Sequence, residues 1–218
     1  MKVVEIFKSI DGEGITAGYP AVFVRLFGCN LRCSYCDSLY ACIESQCDSI
    51  RDMTVSEIYN EVWKMGPKRV TITGGEPLLQ PAALDLIKKL ASKGFQVNVE
   101  TNGSMHIVDL LNQVCSPNII ITLDYKCPSS GMESKMILPN ISLLRSKDVL
   151  KFVVGSKEDL DVCRLIYPKT DAKVFISPVF GKIEPREIVE YMLEHDMYDC
   201  RVQLQLHKYI WNPEQRGV

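Results

Sequence analysis

Two spacings of apolar residues alternate along the chain, one of period two and one near 3.6, which predict strands and helices in turn. The β-branched run A-V-F-V-R-L-F-G at 21–28 predicts a buried strand after a stretch rich in turn formers. Thr54 and Glu57 form a capping box ahead of apolar residues at helical spacing, and Gly66 ends that helix. Further strands are predicted at 68–73, 95–103, 119–123, 149–154 and 173–176, with a last strand at 201–206. Helices are predicted at 81–94, 107–115, 157–166 and 185–195, the last one started by Pro185 in its first turn.

Strands that alternate with helices imply right-handed crossovers and a parallel sheet covered by helices, either open and doubly wound or closed into a full or partial barrel. In both forms function collects at the carboxyl ends of the strands. The polar signatures fall there: a cysteine loop after 21–28, G-G-E-P at 74–77, E-T-N-G at 100–103 and D-Y-K-C-P-S-S-G at 124–131. They are expected to converge on one site, with residues 124–140 as a long functional loop. The length of 218 residues and the absence of repeats or linkers fit one domain.

Composition narrows the class. With 46% apolar and 24% charged residues and a net charge of -2, the chain lacks the basic footprint of a nucleic-acid binder. No apolar span is long enough to cross a bilayer, and the first eight residues carry charges unlike an export signal, so a cytoplasmic protein without a membrane partner is expected. Nine cysteines cannot all pair within one chain, which points to metal or cluster ligation ahead of a disulfide framework.

Three of those cysteines, Cys29, Cys33 and Cys36, crowd the loop at 28–38. Buried packing suits isolated cysteines on strands or helices better than three in a polar loop. A structural zinc site wants four ligands, and there is no second C-x-x-C; the fourth would come from Cys42, Cys47 or a distant residue. A 4Fe-4S cluster held by three thiolates keeps one iron open to a further ligand.

The spacing C-x3-C-x2-C with Tyr35 before the last cysteine, accompanied by G-G-E-P, resembles the signature of the radical S-adenosylmethionine superfamily. The resemblance implies a partial (βα)6-type TIM-like barrel, an α/β fold of parallel strands with outer helices, spanning 1–218 as one radical domain. It also implies that S-adenosylmethionine chelates the open iron and is cleaved to a 5′-deoxyadenosyl radical. Gly74 and Gly75 are expected to let backbone approach that cofactor, and Glu76 to hold the ammonium of its methionine end.

Within the superfamily the chain is similar to 7-carboxy-7-deazaguanine synthases over nearly its whole length. The segments that carry this are E-I-F-K-S-I-D-G-E-G, A-V-F-V-R-L-F-G-C-N-L-R-C-S-Y-C-D-S, V-T-I-T-G-G-E-P-L-L-Q, V-E-T-N-G-S, C-P-S-S-G-M and Q-L-H-K-Y. The resemblance implies ring contraction of 6-carboxy-5,6,7,8-tetrahydropterin with loss of ammonia, assisted by Mg2+, in queuosine or deazapurine biosynthesis. It further implies a homodimer served by a reductant such as flavodoxin or ferredoxin. Residue by residue, it places Cys29, Cys33 and Cys36 on the cluster. Tyr35, Cys36, Asp37, Gly75, Glu76, Thr101, Asn102, Ser104, Asp124, Tyr125 and Lys126 fall on S-adenosylmethionine, and Ser38 on magnesium. Arg25 falls on the substrate carboxylate, and Ile10, Asp11, Gly12, Glu13, Thr73 and His207 on the pterin edge, with Arg25 and His207 as catalytic candidates.

Departures from the family pattern are local. Asp11 replaces a common glutamine, D-Y-K at 124–126 replaces serine-proline-lysine, Ser177-Pro178 replaces glutamine-proline, and W-N-P-E-Q-R-G-V runs beyond the point where some relatives end. Cys115 and Cys163, in helical segments, read as packing, and no auxiliary cluster is expected. Two other functions remain open at this point: an activase that makes a glycyl radical on a partner protein, and a zinc-binding adaptor.

Overall fold

The computed structural model describes residues 1–114 and 116–218, so the expectation about Cys115 lies outside the described residues. Nine strands among the described residues form one sheet: β1 (Lys2–Ile10), β2 (Pro20–Leu26), β3 (Arg51–Asp52), β4 (Arg69–Gly74), β5 (Gln96–Thr101), β6 (Ile119–Tyr125), β7 (Val149–Val154), β8 (Lys173–Pro178) and β9 (Cys200–Val202). Their spatial order is β3-β1-β2-β4-β5-β6-β7-β8-β9. From β2 to β9 every pairing is parallel, as the alternation of elements predicts.

The exception is the amino-terminal edge. Lys2–Ile10, to which the apolar spacing assigns no element, is a nine-residue strand antiparallel to β2, and β3 adds antiparallel to β1. Its pattern of burial is irregular because Glu5, Ile6 and Phe7 in succession are only half covered, so a period of two is hard to see in the sequence. Two short segments also differ from expectation. The last strand ends at Val202, short of the expected 201–206, and residues 206–210 turn into a one-turn helix that carries His207. Within 124–140 the chain is ordered into the end of β6, two 3-10 turns and the start of another helix.

Seven α-helices among the described residues accompany the strands: α1 (Val55–Met65), α2 (Ala83–Ser92), α3 (Val108–Gln113), α4 (Pro139–Leu143), α5 (Lys157–Ile166), α6 (Pro185–Glu194) and α7 (Leu206–Ile210). α1 starts as its sequence dictates: Thr54 Oγ1 accepts from Glu57 N, and the Glu57 carboxylate accepts from Thr54 N, 2.7 Å away. α2 buries Ala83, Leu86, Ile87, Leu90 and Ala91 on one face, and each large side chain removed from water there contributes roughly 1.5–3 kcal/mol.

Successive strand residues point to opposite faces, and in this sheet the two faces differ in chemistry. Val70 and Ile72 of β4, Val97 and Val99 of β5, Ile121 and Leu123 of β6, and Leu150 and Phe152 of β7 join the main core against the helices. Their neighbours Thr71, Thr73, Asn98, Glu100, Thr122, Asp124 and Lys151 lie on the other face. That second face is concave. Glu13, three residues after β1, bonds Ser177 of β8 at 2.8 Å, although six strand spacings of a flat sheet would separate β1 from β8 by roughly 29 Å. The sheet therefore curls into a partial barrel. Ile120, Val149 and Phe175 form a small apolar cluster inside it, and the polar residues sit above them towards the carboxyl ends of the strands.

Candidate active site

The mouth of the barrel opens into a cavity of about 800 Å³ whose wall runs from β1 and the cysteine loop round to the carboxyl-terminal segment. The cysteine loop is tied down at both ends. Gly28 N donates to Ala41 O, Ser34 N donates to Ser130 O, and Ser34 Oγ donates to Ser129 O at 2.6 Å. Cys29, Cys33 and Cys36 all line the cavity. Cys42 comes to the same place: its thiol bonds Cys29 and Cys36, which draws both of them down to about 6 against the opposing effect of burial. Cys33 is pushed up to about 11 by burial, with Lys126 opposing. No group of three or more His, Cys, Asp or Glu converges on one ion among the described residues.

The double glycine works against protein. A Cβ on Gly75 would lie 2.0 Å from Gly28 O, and one on Gly74 would lie 2.1 Å from Leu26 O. Gly75 N donates to Leu26 O and Glu76 N to Gly28 O, so these two residues press the end of β4 against the root of the cysteine loop. Gly75 also reaches the cavity wall. Glu76 does not. It is completely buried, and its carboxylate accepts from Leu78 N, Thr101 Oγ1 and Asn102 N, the last at 2.7 Å. Burial pushes it up to about 7 against those hydrogen bonds. Held in this way, the carboxylate is a brace that ties the end of β5 to the glycine turn.

Beyond Glu76, strand alternation separates the other cofactor candidates. Thr101 and Asn102 line the cavity, and Asn102 Nδ2 donates to Cys29 Sγ at 3.6 Å. Ser104 is turned away from it and donates to Asn102 Oδ1 at 2.6 Å. Asp124 and Lys126 point inward and pair at 3.0 Å, whereas Tyr125 between them faces the helices, packs on Phe152 and donates to Glu133. The pleat thus turns the Tyr125 side chain away from the cavity. Tyr35 and Asp37 line the cavity, and the Tyr35 hydroxyl donates to Val153 O. Ser38 caps a 3-10 turn at the same wall, 4.0 Å from Cys36 Sγ.

On the opposite side stand the expected substrate contacts. Ile10, Asp11, Gly12, Glu13, Arg25, Thr73 and His207 all line the cavity. Arg25 Nε donates to Glu5 Oε1 at 2.6 Å, and its guanidinium lies between the rings of Phe7 and Tyr40. This fixes the plane of the group while its terminal nitrogens donate to none of the described residues. Asp11 is 3% exposed, and its two oxygens accept from Thr71 and Thr16, so its carboxylate is engaged inside the protein. Thr73 donates to Glu100 at 2.7 Å. His207 packs so closely on Gly12 that a Cβ there would be 2.3 Å from its Nδ1, and burial lowers the imidazole below its ordinary value with Glu13 and Asp37 opposing.

Several cavity residues escape the motif reading. Lys151 and Glu100 are lone charges within strands, V-L-K-F-V-V and V-N-V-E-T, and the logic that singles out Arg25 on its strand applies to them equally. Glu5 and Tyr40 become visible only once the fold brings them to Arg25; Tyr40 donates to Glu5 at 2.7 Å. The segment 213–218 also lines the cavity, held by Arg216 against Asp48 at 3.1 Å and over the Tyr40 ring.

The residues present fit a bound cluster and its sulfonium ligand: three thiols on one wall, and a buried acceptor, Asp124 Oδ1, with no partner among the described residues. A model of the radical SAM superfamily matches residues 24–125. The chain is 43% identical over 222 residues to the 7-carboxy-7-deazaguanine synthase of Clostridium acetobutylicum, covering 100% of this chain and 99% of that one. It is 43% identical over 216 residues to the synthase of Methanospirillum hungatei, covering 98% and 86%. The crystal structure of QueE from Escherichia coli matches with a TM-score of 0.74 at 22% identity, covering 93% of this chain and 92% of that one. Archaeal TYW1 matches with a TM-score of 0.57 at 17% identity over 81% of this chain and 71% of its own. Neighbours that distant support the curled sheet alone, whereas identity sustained over the full length of a synthase reaches the cysteine loop, the glycine turn and the cavity together, and on that ground the chain belongs to the 7-carboxy-7-deazaguanine synthase family of the radical SAM superfamily.

Proposed function

We propose that this chain converts 6-carboxy-5,6,7,8-tetrahydropterin into 7-carboxy-7-deazaguanine with loss of ammonia. The observation that carries the reading is the meeting, in one cavity, of a three-thiol loop with a clamped guanidinium and a rim of hydrogen-bonding groups. When bound, a 4Fe-4S cluster on Cys29, Cys33 and Cys36 and S-adenosylmethionine supply a 5′-deoxyadenosyl radical that takes a hydrogen atom from the substrate.

The protein's own part is to bind, orient and exclude water. Arg25, held flat by Phe7, Tyr40 and Glu5, presents its terminal nitrogens to a planar carboxylate, a match an ammonium cannot make. Glu13, Thr73 and His207 face the pterin ring, and His207 enters as a neutral imidazole because burial disfavours its proton. Groups of this kind discriminate strongly, since a wrong ligand leaves them buried without partners. Thr101, Asn102, Asp37, Lys126 and Asp124 serve the cofactor side, with Asp124 Oδ1 accepting from a hydroxyl or amine of the ligand. Gly75 keeps the cysteine loop seated. Ser38, with Asp37 beside it, offers oxygen to a magnesium ion whose remaining sites go to substrate and water.

The chain acts as one domain, as a homodimer in the cytoplasm, with a flavodoxin- or ferredoxin-like reductant, and its product enters a deazapurine route such as that to queuosine. The test is anaerobic incubation with reductant, S-adenosylmethionine, Mg2+ and the carboxytetrahydropterin, followed by product mass. Appearance of 7-carboxy-7-deazaguanine with ammonia is expected. Cofactor cleavage without any deazaguanine overturns the reading.

A further inference from the structure

The barrel interior holds a buried lysine that no motif names. Lys151 sits in the middle of β7, where Leu150 and Phe152 on either side are fully buried against the helices. The pleat therefore aims the lysine into the barrel, next to Asp124 of β6 on one side and Phe175 of β8 on the other. Its residue is only 7% exposed, and it stands at the cavity wall.

Two carboxylates meet its ammonium. Nζ lies 3.3 Å from Glu13 Oε2 and 3.4 Å from Asp124 Oδ2. Glu13 comes from the turn after β1, on the side with Arg25 and His207; Asp124 comes from the end of β6, on the side with Lys126 and Asn102. Each carboxylate is held by further partners. Glu13 also accepts from Ser177 Oγ at 2.8 Å and Gln205 Nε2 at 3.2 Å, and Asp124 Oδ2 is paired with Lys126 at 3.0 Å. These contacts leave Asp124 Oδ1 buried and, among the described residues, without a hydrogen-bond partner. Burial would lower the lysine, but Glu13, Asp124 and Glu100 outweigh it and hold Lys151 well above the ordinary lysine range.

We infer that Lys151 is a positioning residue that joins the substrate subsite to the cofactor subsite, through Glu13 on one side and Asp124 on the other. Without Lys151, Glu13 is left with no cation and Asp124 with Lys126 alone; a carboxylate on a flexible stem so deprived turns towards solvent or takes up a proton, and either change removes the acceptor a ligand needs. One ammonium shared by two carboxylates couples their positions, so occupancy of one subsite preorganises the other. The inference rests on the reaction proposed above, because it assigns the two sides of the cavity to the pterin and to S-adenosylmethionine.

The test uses full-length reconstituted protein and three variants: Lys151→Met, Lys151→Arg and the doubly neutral Glu13→Gln/Lys151→Met. The measurements are KM for the carboxytetrahydropterin, Kd for S-adenosylmethionine with and without the pterin, iron content and Tm. Lys151→Met is expected to raise KM at least tenfold, to weaken S-adenosylmethionine several-fold, and to abolish any tightening of one ligand by the other at full iron content. Lys151→Arg is expected to recover most of this. In the Glu13→Gln background the methionine is expected to add less than about threefold to KM, and this double variant, with no uncompensated carboxylate at Glu13, serves if the single methionine variant fails to fold. The inference is overturned by unchanged KM and Kd in Lys151→Met, by additive effects in the double variant, or by losses that follow iron content and Tm alone. If the wild type binds S-adenosylmethionine but turns over no pterin, the proposed reaction fails, and the effect of Lys151 on cofactor Kd is still read.

Discussion

At the scale of the residue, position on the pleat decides function more than residue type does. Glu76 and Asp124 are both carboxylates at strand ends, yet Glu76 is enclosed and accepts from Leu78, Thr101 and Asn102, while Asp124 lines the cavity and keeps one oxygen without a partner among the described residues. Glu76→Gln is therefore expected to cost on the order of 2 kcal/mol of stability, because one buried N–H loses its acceptor, while Kd for S-adenosylmethionine moves no more than about twofold. Thermal unfolding beside equilibrium binding reads both; a tenfold loss of cofactor affinity at unchanged Tm would restore the motif-based role. His207 provides a pH readout. Its folded-state value lies below that of the unfolded chain, so the unfolded state takes up protons first as pH falls through the ordinary imidazole range. Its contribution to stability is present above that range and is lost below it. Between pH 7.5 and 5.5, roughly one unit either side of the ordinary value, the wild type should lose more stability than His207→Gln. Equal losses in the two proteins would contradict the burial of a neutral ring.

At the scale of the element, the glycine turn and the cysteine loop form one unit. The backbone of Gly74 and Gly75 lies too close to Leu26 and Gly28 for any side chain, with distances of 2.0–2.1 Å to a built Cβ. Because those neighbours are backbone atoms, neither side can yield by a rotamer change. Gly75→Ala is expected to cost about 1–3 kcal/mol and to lower iron content on reconstitution, measured by Tm and by iron and sulfide assay. Full cluster loading in that variant would show that the turn is dispensable for the loop. The helices were readable with little ambiguity: α1 follows its capping box, α5 its predicted limits, and α6 its Pro185 start. The edge strand β1, the two-residue β3 and helices α4 and α7 were not, since a half-exposed strand shows no clean alternation and elements of two to five residues have too few positions to show a period.

At the scale of the whole molecule, the curl of the sheet turns separate strand ends into one chamber. It brings Glu13 to Ser177 and Lys151, residues more than a hundred positions apart in the chain. It also brings Arg216 onto Tyr40, so that the carboxyl-terminal segment closes the cavity beside Arg25. Cluster binding should stabilise this chamber as a ligand of the native state alone. Anaerobically reconstituted protein is expected to be brown, absorbing broadly around 400 nm by iron-sulfur charge transfer, and to unfold at a higher temperature than the metal-free chain. Colourless protein carrying zinc would contradict both the reading of the thiols and membership of the family, which already sets aside the zinc adaptor and the protein-activating radical enzyme as alternatives. The order of strands and helices, the parallel sheet and the three-thiol loop were determined by the sequence itself, because periodicity, caps and cysteine spacing are local and survive without a fold. Which member of each polar strand faces the chamber was decided only by tertiary structure. A pleat has two faces, and until the sheet curls and the helices cover its outer side, nothing local says that Asp124 and Lys151 look inward while Tyr125 and Glu76 are enclosed by protein.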